Sequence, residues 1–421
     1  MKTIKNKITL DLVLFIAFLM MLASQYLLIF DSARPRKIFY TAGYVAILAM
    51  LICYKKIKMP VKNAFPMIAS LFLASTILIW VALFKNNGAY WDVYNSYETS
   101  GKVILLFAVL IFIFSNFSIK RNPLLLDTIF IVGGVLANVY AIHQYNFHSD
   151  QRIELGFDRA TMAAYIITVI DILMLHAVLN RHGWVRYLLF VFTIGLTFSA
   201  IIFTGTRAAI LSYPILCLLL AFTHKNVKKQ HLIKMILCLS CLLAIAIYAF
   251  QQPLEKRLHA LQGDLQKLQS SNNSRTSVGA RVAMFQVGVD TGSAAPFGQS
   301  AEARSAMIKN LAAKDPSLSG SVVFTNIHLH NEIIENYSLR GFVGAGALIL
   351  FYLSLLWCSW RNRNPALMVM TLSLIVFGLS DVIFFSREGS IVYVIGLLTA
   401  MIFLGRTEHP PAEASTINAG K

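Results

Sequence analysis

Two histidines and two glutamates crowd the stretch FTNIHLHNEIIENYSLRG, which runs from Phe324 to Gly341: His328, His330, Glu332 and Glu335. A histidine titrates near working pH, so either ring could take a proton as a general base. If the stretch is one helix, His328 and His330 differ by about 200° around its axis and cannot face one ligand. His328 then shares a face with Glu332 and approximately with Glu335. The grouping lacks the H-E-x-x-H order of zinc helices, and no Cys or Asp cluster adds ligands, so a metal site is disfavoured. A histidine that only caps or packs at a helix entrance is the plain alternative.

Three other residues invite attention. Arg207, in FTGTRAAI, occupies a tight connection between apolar runs and must either snorkel to the headgroups or point into a bundle mouth. Arg281, in SVGARVAMF, follows Gly279 by two residues; it is either a solvated helix residue or a ligand-binding one, since glycine admits close approach. Asp381, in GLSDVIFFSREGS, is expected in the outer half of an apolar span, where an acid must find a partner. Asp11 and Asp171 sit deeper and read as structural pairs. Fixed guanidinium groups grip phosphate oxygens bidentately, and a histidine can accept a hydroxyl proton. Together they suit displacement of a pyrophosphate-linked lipid from a sugar, with the leaving charge stabilised by arginine rather than by a divalent metal.

Membrane-spanning helices must position these groups. The 421-residue chain is 57% hydrophobic and 14% charged, with mean hydropathy +0.64, too apolar for a soluble globular protein. Its continuous apolar runs exclude an alternating barrel pattern and predict an all-α polytopic fold of about 12 transmembrane helices. Six are expected at Ile8–Phe30, Ile38–Tyr54, Ala64–Phe84, Val103–Phe117, Leu124–Ile142 and Thr161–Leu179. Six more are expected at Tyr187–Phe203, Ala208–Phe222, Leu232–Phe250, Gly341–Trp360, Ala366–Phe384 and Ser390–Leu404. The connections MKTIKNK, YKKIKMPVK, SIKRN, NRHGWVR, THKNVKKQ and RNRN are basic and hold no acid, whereas those on the other side mix both signs. By the positive-inside rule both termini are cytoplasmic and residues 251–340 are external. The net charge of +17 is therefore a topology signal. Scattered among loops, it does not indicate nucleic acid.

The first apolar run is long and no small-residue cleavage site follows, so it reads as a retained helix. All five cysteines fall in or at the ends of predicted spans, which leaves the external segment without a disulfide framework. That segment opens with Leu254, Leu258, Leu261, Leu265 and Leu268, one apolar stripe on an amphipathic helix. RTSVGARVAMFQVGVD and AEARSAMIKNLAAKD read as two further helices, the second ended by Pro316. Residues 1–250 are thus expected to hold nine spans, 251–340 a small helical domain, 341–404 three spans and 405–421 a cytoplasmic tail.

TGTRAAI, SVGARVAMFQVG, NIHLHNEIIENYSLRG and GLSDVIFFSR, in this order and on one side of twelve spans, resemble the bacterial O-antigen ligases, within the broader group of ligase and polymerase membrane proteins. The resemblance implies a membrane-embedded glycosyltransferase fold of the C type, an inner-membrane location and a site on the periplasmic face. It implies inverting transfer of O-antigen from undecaprenyl pyrophosphate to a lipid A-core sugar, without metal, ATP or another cofactor. The implied partners are these two substrates and the surrounding membrane lipids. Residue by residue it implies that Arg207 and Arg281 hold pyrophosphate, that His330, which precedes Asn331, is the base, and that Asp381 is an acid near the site of unassigned role. His328 stands as the alternative base. Many members have Ser-Arg-Gly where this chain has Thr206, Arg207 and Ala208, which alters the turn around the arginine. An O-antigen polymerase of the same group, or a twelve-span transporter binding an anion at Arg207, are the competing readings.

Overall fold

The computed structural model describes residues 2–52, 63–116, 122–147, 152–157, 159–249, 251–271 and 274–404, and among these every regular element is helical. The chain runs through α1 (Lys2–Leu27), α2 (Ala33–Ile52), α3 (Ala64–Phe84), α4 (Trp91–Asn116), α5 (Pro123–Phe147), α6 (Ala160–Asn180), α7 (Val185–Thr204), α8 (Arg207–Thr223) and α9 (Lys229–Ala249). It continues with α10 (Gln251–Ser271), α11 (Ser277–Ala294), α12 (Ala301–Lys314) and a 3-10 segment, Pro316–Phe324. The last helices are α13 (Glu332–Arg361), α14 (Pro365–Gly378) and α15 (Arg387–Leu398). The expected tail, 405–421, lies outside the described residues.

Eight helices among the described residues, α1 to α7 and α13, are long and apolar enough to cross a bilayer; α8, α14 and Gln230–Cys241 of α9 are apolar but shorter. Leucine and other apolar side chains such as Leu48, Ile79, Leu83, Phe192 and Leu211 stay exposed on the outer helices, as expected where lipid rather than protein completes the packing. The centre of the bundle is α6, whose residues are buried from Ala160 to Leu179 and which packs against α5, α7, α14 and α15. Asp171 on it accepts hydrogen bonds from Thr197 at 2.8 Å and Tyr213 at 2.6 Å, a structural role as expected.

Several helix boundaries differ from the sequence reading, and two of them bear on the site. The helix expected from Val103 starts at Trp91, because Tyr94 and Tyr97 are buried and donate to Glu302 and Glu335 of distant elements, which carries α4 beyond its apolar run. The helix expected to reach Phe384 stops at Gly378, so Asp381 lies in the loop after α14 rather than inside a span. There its N–H bonds the Phe377 carbonyl at 2.9 Å as the helix unwinds.

α11, α12 and the 3-10 segment pack over the first turns of α13 around a second small core that contains Met284, Val287, Ile308, Leu318, Leu329 and Ile334. α13 breaks at Gly341, where φ is +60° and an added Cβ would lie 2.0 Å from the Pro296 carbonyl oxygen, so only glycine fits. The break gives α13 an outer part that carries the site and an inner part that continues through the bundle.

Candidate functional site

Residues 325–331 are not helical; α13 begins only at Glu332. The local pattern Ile327-His328-Leu329-His330 alternates, and in an extended chain alternate side chains point to opposite sides. Leu329 is 1% exposed and seated in the second core, which turns both histidines the other way. The helix-based separation of His328 from His330 is therefore overturned: their ring centroids are 4.4 Å apart and both rings face Asp381. His328 Nε2 lies 3.5 Å and His330 Nδ1 3.3 Å from the same Asp381 oxygen. The His330 approach is an ion-pair distance whose alignment falls short of a hydrogen bond.

Buried charge holds this loop in place. Glu335 accepts hydrogen bonds from the Leu329 N–H at 2.8 Å, Arg304 at 2.8 Å and Tyr97 at 2.9 Å. Arg304 and Glu335 are both fully buried, so each charge depends on the other; Arg304 NH1 also donates to Ser338 at 3.2 Å, while its Nε and NH2 have no hydrogen-bond partner among the described residues. Asn331 caps α13, accepting from the Ile333 and Ile334 N–H groups at 3.1 Å. Its amide also donates to the Leu379 carbonyl at 3.2 Å, tying the histidine loop to the Asp381 loop. Glu332, expected beside His328, instead accepts the Ile383 and Phe384 N–H groups at 3.0 and 2.9 Å. Those two bonds satisfy the backbone of the second loop.

The two histidines differ in access. The side chain of His330 is 23% exposed, that of His328 only 1%. His330 has φ +50°, an uncommon value for a non-glycine residue. Burial, only partly opposed by Asp381, lowers the His328 pKa to about 4, so that ring is neutral at neutral pH. His328 Nδ1 accepts the His330 N–H at 3.3 Å, and its Nε2 lies between Asp381 at 3.5 Å and Arg159 NH1 at 3.4 Å. Burial alone would raise the Asp381 carboxyl; His330, His328 and the Val382 N–H outweigh it and hold it well below the usual carboxylate range. Asp381 is thus ionised.

Arg159, just before α6, places NH1 3.4 Å from His328 Nε2 and stacks on Phe385. It lines a 370 Å³ cavity together with Arg36, Arg387 and Glu388. Nothing in the sequence reading singled it out; the available signal was its place, directly before an apolar span. Arg207 and Arg281 do not touch the His–Asp cluster. Arg207 is half-buried at the start of α8, after a turn in which Gly205 has φ +62°. Thr206 in that turn donates to the Ala160 carbonyl at 3.2 Å, so Arg207 stands at the same end of α6 as Arg159. Arg281 is exposed on α11, within electrostatic reach of Tyr165, whose hydroxyl meets Ser380 beside Asp381. Both arginines therefore lie near the Ala160 end of α6.

Ligand atoms of His328, His330 and Asp381 lie within 4.8 Å of one another, a spacing that could hold a cation. The convergence removes the geometric objection to a metal raised on the helix reading. The guanidinium of Arg159 supplies a different one, since it sets a fixed positive charge 3.4 Å from one of the three ligand atoms.

A family model described as O-antigen ligase matches residues 190–349, which include Arg207, Arg281, both histidines and the outer part of α13. The chain is 28% identical over 410 residues to a protein of Escherichia coli (strain K12) named O-antigen ligase, covering 96% of each. It is 27% identical over 279 residues to an uncharacterized protein of Haemophilus influenzae (strain Rd), covering 62% of this chain and 65% of that one. With a polytopic helical bundle and a histidine–aspartate cluster at one end of it, this chain is similar to the O-antigen ligases, by the family model over residues 190–349 and by one relative over nearly its whole length.

Proposed function

We propose that the protein transfers O-antigen glycan from undecaprenyl pyrophosphate to a hydroxyl of lipid A-core, at the periplasmic face of the inner membrane. The observation that carries the reading is His330: a half-open imidazole backed on Nδ1 by a buried, ionised Asp381, so that Nε2 is left to face the mouth. This is the His–Asp logic of acyl-transfer triads, in which the carboxylate fixes the tautomer and stabilises the imidazolium that forms. His330 Nε2 takes the acceptor proton as the hydroxyl oxygen bonds to the anomeric carbon. The bond from that carbon to the pyrophosphate oxygen breaks, and the pyrophosphate leaves with the electron pair. A single displacement inverts the anomeric centre.

The leaving charge is met by guanidinium groups. Arg207 and Arg281 bind the pyrophosphate in this reading, and Arg159 and Arg387 add positive charge along the adjoining cavity. His328 is too buried to meet a substrate hydroxyl and serves as a positioning residue, packed beside Asp381 and accepting the His330 N–H. Residues 251–340 form the periplasmic helical domain over the bundle, and both termini are cytoplasmic.

Purified protein given the lipid-linked glycan and lipid A-core should form glycosylated lipid A-core without metal or nucleotide. His330→Ala should abolish the product while leaving thermal unfolding unchanged. Elongation of the lipid-linked glycan in place of transfer to core would instead mark a polymerase of the same group. No product with authentic substrates would overturn the enzymatic reading.

A further inference from the structure

α6 carries its Ala160 end at the histidines, and its other end opens onto a separate cavity of 450 Å³. At 1.5 Å per residue the 21-residue helix puts the two sites roughly 30 Å apart. Of the three histidines that line the second cavity, His182 is exposed and two are buried, His176 of α6 and His224 after α8. They are 6% and 3% exposed, and their rings meet edge-on with centroids 4.9 Å apart. Each leaves one buried ring nitrogen without a hydrogen-bond partner, Nδ1 of His176 and Nε2 of His224. His224 Nδ1 accepts the Asn226 N–H at 3.3 Å, which puts its proton on Nε2 and makes the unpartnered atom a donor. A buried donor without an acceptor costs free energy that a ligand oxygen would recover.

Charge around the cavity is one-sided. Arg181, Lys225 and Arg363 line it against a single acid, Asp127, which already accepts from Asn180 at 3.3 Å. Arg363 and Pro365 also line a neighbouring space of 630 Å³ whose other walls include Phe222, Trp360 and Met368. Phe222 is 68% exposed and Trp360 76%, on a surface that faces lipid in a spanning bundle. A cationic, donor-bearing cavity thus joins an aromatic groove at Arg363. This end is also the one that the positive-inside distribution assigns to the cytoplasm, where anionic headgroups concentrate.

We propose that the joined cavities bind one anionic glycerophospholipid, its phosphodiester held by Arg181, Lys225, Arg363 and the His224 Nε2–H, its acyl chain lying along Phe222 and Trp360. The site is independent of the glycan-transfer chemistry at the opposite end.

The test uses the full chain, purified in mild detergent, stripped of lipid and titrated with phosphatidylglycerol, phosphatidylcholine or inorganic phosphate, with retention read by native mass spectrometry. One phosphatidylglycerol should be retained per chain, about tenfold more tightly than phosphatidylcholine. The triple variant Arg181→Gln, Lys225→Gln, Arg363→Gln should weaken retention at least tenfold, and His224→Phe should weaken it with the ring volume kept. Lys309→Gln, on exposed α12, should have no effect. Thermal unfolding of each variant separates lost binding from lost folding. Equal retention of both lipids, or retention untouched by the triple variant, would mean ordinary boundary lipid and overturn the proposal. Displacement of phosphatidylglycerol by equimolar inorganic phosphate would mean a soluble-anion site and overturn it too.

Discussion

Replacing Asp381 by asparagine removes one charge with almost no change of volume, and the geometry allows its cost to be worked out. The carboxylate oxygen is 3.3 Å from His330 Nδ1. A pair of unit charges at that distance attracts by about 5 kcal/mol at an effective dielectric of ~20 and by about 1 kcal/mol in water. With His330 at 23% exposure the site lies between these limits. The charge appears on His330 only as the acceptor proton arrives, so the loss falls on the transition state. About 2–3 kcal/mol corresponds to a fall in kcat of roughly 30- to 150-fold. KM for the lipid-linked donor should hardly change, because Asp381 meets no phosphate in this arrangement. The assay is initial-rate ligation in nanodiscs with both substrates varied, with thermal unfolding measured in parallel. Near-normal kcat in a folded Asp381→Asn protein would refute the His–Asp argument. A change confined to donor KM would refute it equally, since Asp381 would then act on binding.

The arginines should behave oppositely to Asp381: Arg207→Ala and Arg281→Ala should abolish ligation with membrane insertion intact. Arg281→Lys should retain about a tenth or less, because an ammonium cannot form the bidentate fork, and in vitro rates of the purified variants check this. Incubation with EDTA should leave the rate unchanged, while an EDTA loss restored by one added divalent ion would assign His328, His330 and Asp381 to a metal instead. Acidification should destabilise the protein through His328, whose folded pKa of about 4 lies below the ordinary value of 6.5. The unfolded chain binds that proton first, so the effect begins as pH falls below 6.5 and is complete near 4. It amounts to about 2 kcal/mol at pH 5 by linkage. Thermal unfolding at pH 7 and pH 5 should show this contribution as a shallower slope in His328→Gln than in the wild type, the remainder coming from other buried histidines such as His224.

Much of the site was legible residue by residue. Asp381 drew notice because an acid in apolar sequence needs a partner, and Arg207 because a two-residue turn between spans leaves a charge few places to go. The histidine geometry was not legible, because the helical period of α13 was extended backward through residues 328–331. The Ile-His-Leu-His alternation was the signal that Leu329 turns away from both histidines. It counts only once Leu329 has a core to enter, and that core is assembled from three separate elements, α11, α12 and the 3-10 segment. Arg159 and Arg304 were missed for a related reason: an isolated arginine in a polar stretch has no pattern to announce it.

The sequence by itself determined that the chain is a helical membrane protein, and continuous apolar runs are enough for that because the bilayer demands internally satisfied backbone. It also determined the ordered motifs that mark the family. Only the tertiary structure decided which side chains meet: that His328 and His330 converge on one Asp381 oxygen, and that a fully buried Arg304–Glu335 pair holds their loop. Composition and periodicity report each element's own demand for burial, whereas the pairing of charges depends on which elements pack together. No local pattern encodes that choice.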